Sequence, residues 1–318
     1  MNKNLILTTA ALAAAVACSQ AAFAVTLVND RWLDGDRTQP AAPAYSENGV
    51  DGDADTDLES AWYNGGASTM TASVGNLSKD LTGSSANWTT YFTPEGSEVN
   101  LANDGDKLRV TWVFTPSGLG AANTSQNFRF GLVDSIPANR LAADGVPPSG
   151  AAANPYTGYA VFANMSAGVL ANSSPLELRE RVANGGSNSI LGTSGDWNDA
   201  ALTGTTNGAT AGNTGFANGQ PYTMVWELTR NGLGIDIDLT LSGAGYNGSG
   251  TGTIAANDAN GNGFTFDTFN VRPSSEAGTA SVIDTSLFRV EFIPVPEPCS
   301  LGLAAFGGLA IALARRRR

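Results

Sequence analysis

Any chemistry in this chain has to come from carboxylates, guanidinium groups and hydroxyls, because its 318 residues include no histidine. That absence removes imidazole-assisted serine and cysteine nucleophiles and every imidazole metal ligand. Three groupings remain. Glu227 stands in one segment of alternating polar and apolar residues and Asp236 and Asp238 in the next; Glu177, Arg179 and Arg181 alternate in another; Asp51, Asp53, Asp55 and Asp57 alternate ahead of Glu59. A spacing of two puts such residues on one face of an extended strand.

Each grouping has a chemical and a structural reading. On facing strands Glu227 and Asp236 would approach the ~5–5.5 Å carboxyl separation of a retaining glycosidase, with Asp238 two residues along and one pKa raised by the other. Like charges in facing positions destabilise a sheet, so the alternative is a hydrated outer face neutralised by Arg129, Arg179 or Arg289 on neighbouring strands. Arg129, Glu177, Arg179 and Arg181 form a candidate ligand face, since guanidinium forks suit the carboxylates of uronic acids or sulfated sugars. A lyase would need a base beside them, and Lys79 and Lys107 are the only lysines of the body, so an ion-pair ladder accounts for the same residues. Asp51 to Asp57 offer the oxygen density that Ca²⁺ takes, the one cofactor to which the sequence points. An EF-hand would need Gly where Thr56 stands and Glu where Trp62 stands, so the choice lies between a looser calcium loop and a solvated acidic one. Trp32, Trp62, Trp88, Trp197, Tyr156 and Tyr159 either stack on sugar rings or fill the core.

The elements that must hold these residues read as strands. Leu108-Val110-Trp112-Phe114, Phe128-Phe130-Leu132 and Phe288-Val290-Phe292 alternate with polar residues, and long 3.6-residue apolar periodicity is missing. Between Tyr222 and Leu241, Asn231-Gly232 predicts a two-residue type I′ turn. That turn pairs Arg230 with Leu233, Leu228 with Ile235, Trp226 with Ile237, Met224 with Leu239 and Tyr222 with Leu241, and it sets Glu227 opposite Asp236. Roughly a dozen such strands predict an all-β, two-sheet antiparallel sandwich over 25–293. The unpatterned segments Ser135 to Thr157 and Thr193 to Gln220 read as surface loops.

Both ends read as addresses. Lys3, the apolar run Leu5 to Ala17 and Ala22-Phe23-Ala24 predict a signal peptide over 1–24, handled by the Sec machinery and cut before Val25. A lipobox at Ala15-Val16-Ala17-Cys18 is the alternative. Without Lys3, Glu297 and Arg315 to Arg318, the body carries 12 basic and 28 acidic side chains, a net charge of −16 that opposes nucleic-acid binding. The two cysteines, Cys18 and Cys299, lie in the terminal segments, so the body has neither a disulfide nor a thiolate nucleophile. Pro296-Glu297-Pro298 precedes an apolar run from Cys299 to Ala314 and the cluster Arg315, Arg316, Arg317 and Arg318. As a helix that run spans roughly 24 Å, a marginal transmembrane segment with its arginines held inside.

This tail, residues 294–318, resembles the PEP-CTERM sorting signal of exported bacterial proteins. The resemblance implies recognition by an exosortase-type membrane protease, transient inner-membrane anchoring, and release to the cell surface or an exopolysaccharide matrix. Trp32-Leu33-Asp34-Gly35-Asp36-Arg37-Thr38 and Ser60-Ala61-Trp62-Tyr63 resemble the start of exported proteins bearing the same tail. The length of the body and its late hairpin resemble the concanavalin-A-like jelly roll of legume lectins, laminin-G modules and glycan-active enzymes, which implies a lectin-like, carbohydrate-binding sandwich. Ile235-Asp236-Ile237-Asp238 resembles the acidic strand motif of laminarinase-type hydrolases but departs from it: that motif begins and ends on Glu, whereas Asp236 holds the first position and Thr240 or Leu241 the last. The favoured expectation is a non-enzymatic, exported surface or matrix protein that binds polysaccharide. A jelly-roll hydrolase or lyase and a purely structural matrix component are the alternatives.

Overall fold

A computed structural model of the chain describes residues 23–37, 57–182, 190–273 and 279–295, apart from residues 84, 95 and 193. Nearly all of the signal segment, the Pro296-Glu297-Pro298 tail with its arginines, and Asp51, Asp53 and Asp55 lie outside the described residues. Within them, the helical content is four single 3-10 turns, and no helix is long and apolar enough to cross a membrane.

Among the described residues, eighteen strands carry the fold. In chain order they are β1 (Val25–Asp30), β2 (Trp62–Gly65), β3 (Met70–Ser73), β4 (Asn76–Asp80), β5 (Asn87–Tyr91), β6 (Val99–Asn100), β7 (Lys107–Ser117), β8 (Phe128–Asp134) and β9 (Thr157–Ala163). There follow β10 (Leu176–Arg181), β11 (Trp197–Asn198), β12 (Leu202–Thr205), β13 (Tyr222–Asn231), β14 (Gly234–Ser242), β15 (Thr251–Asp258), β16 (Thr265–Phe266), β17 (Thr268–Pro273) and β18 (Val282–Ile293). A nine-stranded sheet runs β12-β15-β14-β13-β7-β18-β4-β3, with β1 also beside β18; a seven-stranded sheet runs β11-β10-β9-β8-β17-β5-β2; β6 and β16 form a small third. Every strand pairing is antiparallel, so the all-β antiparallel sandwich is borne out.

Alternation explains the packing. In β7 the buried set Leu108, Val110, Trp112 and Phe114 faces the other sheet, while Lys107, Arg109, Thr111 and Val113 face outward. Trp112 sits at the centre of the sandwich, stacked on Phe114 at 4.3 Å between ring centroids and edge-on to Phe269 at 5.5 Å, and its indole N–H donates to Thr285 Oγ1 at 3.1 Å.

The β13–β14 hairpin forms, in a different register from the expected one. Asn231 pairs with Gly234, Leu228 with Ile237, Trp226 with Leu239, and Met224 with Leu241. The loop is Gly232-Leu233, with Gly232 at φ +63°, so glycine occupies the first loop position as a type II′ turn requires. Moving the turn centre by one residue displaces each partner by two, so the apolar faces are preserved while Glu227 now faces Asp238 and Asp236 faces Thr229. Gly234 marks a further constraint, since a Cβ there would lie 2.4 Å from the Asp258 carbonyl oxygen of β15.

The segments expected as surface loops are only partly so. The 135–156 segment lays Ala153 and Tyr156 over the outer side of the seven-stranded sheet, where they join Ile190, Leu191 and Trp197 around Phe162 and Ala160 as a second small core. The 193–220 segment contributes β11 and β12.

Candidate functional site

The outer face of the nine-stranded sheet is open. Two neighbouring cross-strand rows run over it: Thr203, Asn257, Asp236, Thr229 and Lys107 in one, and Thr205, Ala255, Asp238, Glu227, Arg109 and Glu291 in the other. Glu227 is clasped from β7: Lys107 Nζ donates to its Oε2 and Arg109 Nε to its Oε1, both at 2.6 Å, and Arg109 Nη1 lies 3.8 Å from Glu291. Burial opposes ionisation of Glu227, but the two cationic hydrogen bonds outweigh it and hold the carboxyl below its ordinary range. Asp236 accepts from Asn231 Nδ2 at 3.0 Å and Asn257 Nδ2 at 2.7 Å, and Asp238 is exposed. The facing of Glu227 and Asp236 is therefore corrected to Glu227 and Asp238. The neutralising cations are Lys107 and Arg109; Arg129 and Arg179 belong to the other sheet, and Arg289 bonds Asn29. A glycosidase acid must be protonated near neutral pH, and the clasp pushes Glu227 the other way.

Arg129, Glu177, Arg179 and Arg181 do share the outer side of the seven-stranded sheet, and Phe162 lies among them. Arg129 and Arg179 stack over its ring at 4.7 and 4.6 Å. Arg179 Nη2 donates to Glu177 Oε2 at 2.7 Å and to Gln126 Oε1 at 3.0 Å, and Arg129 Nη1 donates to the carbonyls of Leu191 and Gly192. Arg181 is withdrawn from solvent: it donates to the Ile190 and Ala153 carbonyls at 3.0 Å, lies 3.9 Å from Asp196 and covers Trp197. As a ligand-facing residue Arg181 is therefore corrected, because it is buried beneath the covering segments, whose carbonyls take its Nη1 and Nη2 donors.

A third cluster joins residues too distant in sequence for spacing to reveal. Carboxylate oxygens of Glu98, Asp134 and Asp267 lie within 4.8 Å of one another at the end of β8. Asp267 is buried; it accepts from Ser135 N at 2.8 Å, from the Ser135 hydroxyl, and from Arg140 Nη2 at 2.5 Å. Asp134 accepts from Thr265 Oγ1 at 2.5 Å, and burial, with Asp267 and Glu98 nearby, raises its pKa. Three hard oxygen donors suit a cation such as Ca²⁺, although Arg140 already supplies one positive charge there. Of the expected acidic loop, only Asp57 is described. It is fully buried and accepts from Arg31 N at 2.8 Å and Arg31 Nε at 3.1 Å, so Arg31 engages both of its carboxylate oxygens. All six tryptophans, with Tyr156 and Tyr159, are buried, so none of the named aromatics offers an exposed stacking surface.

No protein-family model and no curated protein sequence matches the chain. Solved structures do. Peanut lectin with a nine-residue peptide is 10% identical with a TM-score of 0.44, the match covering 85% of this chain and 98% of the lectin. The winged bean acidic lectin complexed with methyl-α-D-galactose is 10% identical with a TM-score of 0.43, covering 85% and 99%. The metal-free form of lectin I-B4 from Griffonia simplicifolia is 12% identical with a TM-score of 0.40, covering 75% and 96%. The fold class rests on the strand order and the antiparallel register of the two sheets.

Proposed function

We propose that the protein is exported, sorted to the cell surface or extracellular matrix through its PEP-CTERM-like tail, and binds polysaccharide there without cleaving it. The observation that carries the non-catalytic reading is the clasp of Lys107 and Arg109 on Glu227, which holds ionised the carboxyl that would have to donate a proton. The open rows of Thr203, Asn257, Asp236 and Thr229 supply hydroxyl, amide and carboxylate groups of the kind that exchange hydrogen bonds with sugar hydroxyls.

A glycan array on the 25–294 fragment, with Ca²⁺ and with chelator, tests the binding reading. Retention on at least one acidic or neutral glycan is expected, and retention by none leaves the purely structural matrix role. Reducing-sugar assays test the runner-up: turnover by the wild type that disappears in Glu227→Gln would establish the hydrolase. Sorting is tested in an exosortase-bearing host, where Glu297→Ala should retain the tail and the membrane location. A wild-type mature chain still ending at Arg318 would refute it.

A further inference from the structure

Lys79 is the one buried lysine among the described residues, and it points from β4 of the nine-stranded sheet into the gap between the sheets. Across that gap Asn64 of β2, the edge strand of the seven-stranded sheet, meets it: Lys79 Nζ hydrogen-bonds Asn64 Oδ1, with Ser68 Oγ at 2.6 Å and the Gly65 carbonyl at 3.5 Å. No carboxylate of the described residues hydrogen-bonds this amine; Asp80, Asp144 and Arg37 are the charged groups that act on it from a distance. Asn64 Nδ2 donates to the Ser68 carbonyl at 2.8 Å, and Asn64 N to Asp144 Oδ1 at 2.9 Å, Asp144 being gripped in turn by Arg37. Ser68 thus touches the amine through its hydroxyl and the carboxamide nitrogen through its carbonyl.

We propose that Lys79 and Asn64 are the partners of an intramolecular isopeptide bond that staples the two sheets together at this edge. The neutral amine attacks Asn64 Cγ, to which Oδ1 is bonded; the Nζ–Cγ bond forms, the Cγ–Nδ2 bond breaks, and the proton lost by Nζ leaves on Nδ2 as ammonia. Atoms balance without an oxidant or a second reactant. Burial lowers the Lys79 pKa to about 8, so the attacking form is populated near neutral pH. Such a bond would supply the covalent bracing that a body without cysteine between Val25 and Pro294 lacks.

The purified full chain is incubated at pH 7 and pH 9 and its intact mass compared with the sequence mass. Loss of one ammonia is expected, faster at pH 9. Because Asn64-Gly65 can also lose ammonia by forming a succinimide on its own backbone, the decisive step is cyanogen bromide cleavage at Met70, which cuts the chain between the two partners. Fragments ending at Met70 and beginning at Thr71 should stay joined on a denaturing gel in the wild type and separate in Lys79→Arg. Separation in the wild type after incubation at pH 9, or an unchanged intact mass, overturns the proposal.

Discussion

The outer faces of the two sheets carry similar side chains to different ends. On the nine-stranded sheet, Lys107, Arg109, Glu227 and Glu291 pair in contact with water; on the seven-stranded sheet, Arg129 and Arg181 are roofed by the segments around 135–156 and 190–197 and donate to their carbonyls. Water makes the first arrangement cheap to lose, since exposed ion pairs contribute little net stability. Its exclusion makes the second expensive to break, because removing Arg181 takes a cation from 3.9 Å beside the buried Asp196 carboxylate, although the Ile190 and Ala153 carbonyls keep Trp197 Nε1 and Tyr156 N.

The sharpest way to break this contrast is Arg181→Met, which strips donors from the Ile190 and Ala153 carbonyls and leaves Asp196 buried beside an apolar chain. Urea denaturation should show a loss of about 3–5 kcal/mol; a loss under about 1 kcal/mol would mean that the roof is not packed. The pH dependence separates interior from surface by sign. Burial raises the Asp30 pKa to about 8 against hydrogen bonds from Trp32 N, Trp62 Nε1 and Ser60 N, and burial with Asp258 nearby raises Glu180 to about 7. Both bind protons more tightly folded than unfolded, so their stability is full below the ordinary carboxyl range and is lost as pH rises through 7 to 8. Glu227 has the opposite sign: its contribution is present above the ordinary range and is lost as pH falls through its depressed folded pKa. Melting temperatures from pH 3 to 9 should therefore peak in the acidic range, and Asp30→Asn should flatten the alkaline limb, a change on the order of a few kcal/mol at pH 8.

Smaller effects refine the picture. Gly232→Val forces a β-branched residue to φ +63° and should cost about 1–3 kcal/mol in the denaturation midpoint. Glu227→Gln should cost only about 0.2–1 kcal/mol at pH 7, as it removes one charge from between two cations on the open face. A gain in stability there would show that Asp238, rather than Lys107 and Arg109, dominates the environment of Glu227.

How far the sequence reached depended on whether a contact was local. Alternation in β7, β8 and β18 located those strands, and the apolar faces of the β13–β14 hairpin survived an error in its turn because the pairing moved by an even number of residues. The turn itself was decided by Gly232 in the first loop position and by the close approach of β15 to Gly234, and the second of these is invisible before strand order is known. The partners of Glu227 stand 118 and 120 residues away on β7, a strand whose existence was legible but whose neighbour was not. The meeting of Glu98, Asp134 and Asp267 had no signal at all, since three separate segments supply one residue each. Likewise the roof over Phe162 is built from residues without period, whose burial comes from the sheet beneath them.

One consequence of the topology concerns time. The last strand, β18, lies inside the nine-stranded sheet, pairing along its length with β7 on one side and with β4 and β1 on the other. Until residue 293 has emerged, β1 has no partner in its sheet and β7 has only one, so the sheet cannot assemble stepwise from its N-terminal end. Closure waits for contacts between the two extremes of the body, a slow, non-local step. The nine-stranded sheet is therefore joined last at β18, after the β13–β14–β15 meander and the strands of the other sheet have been made.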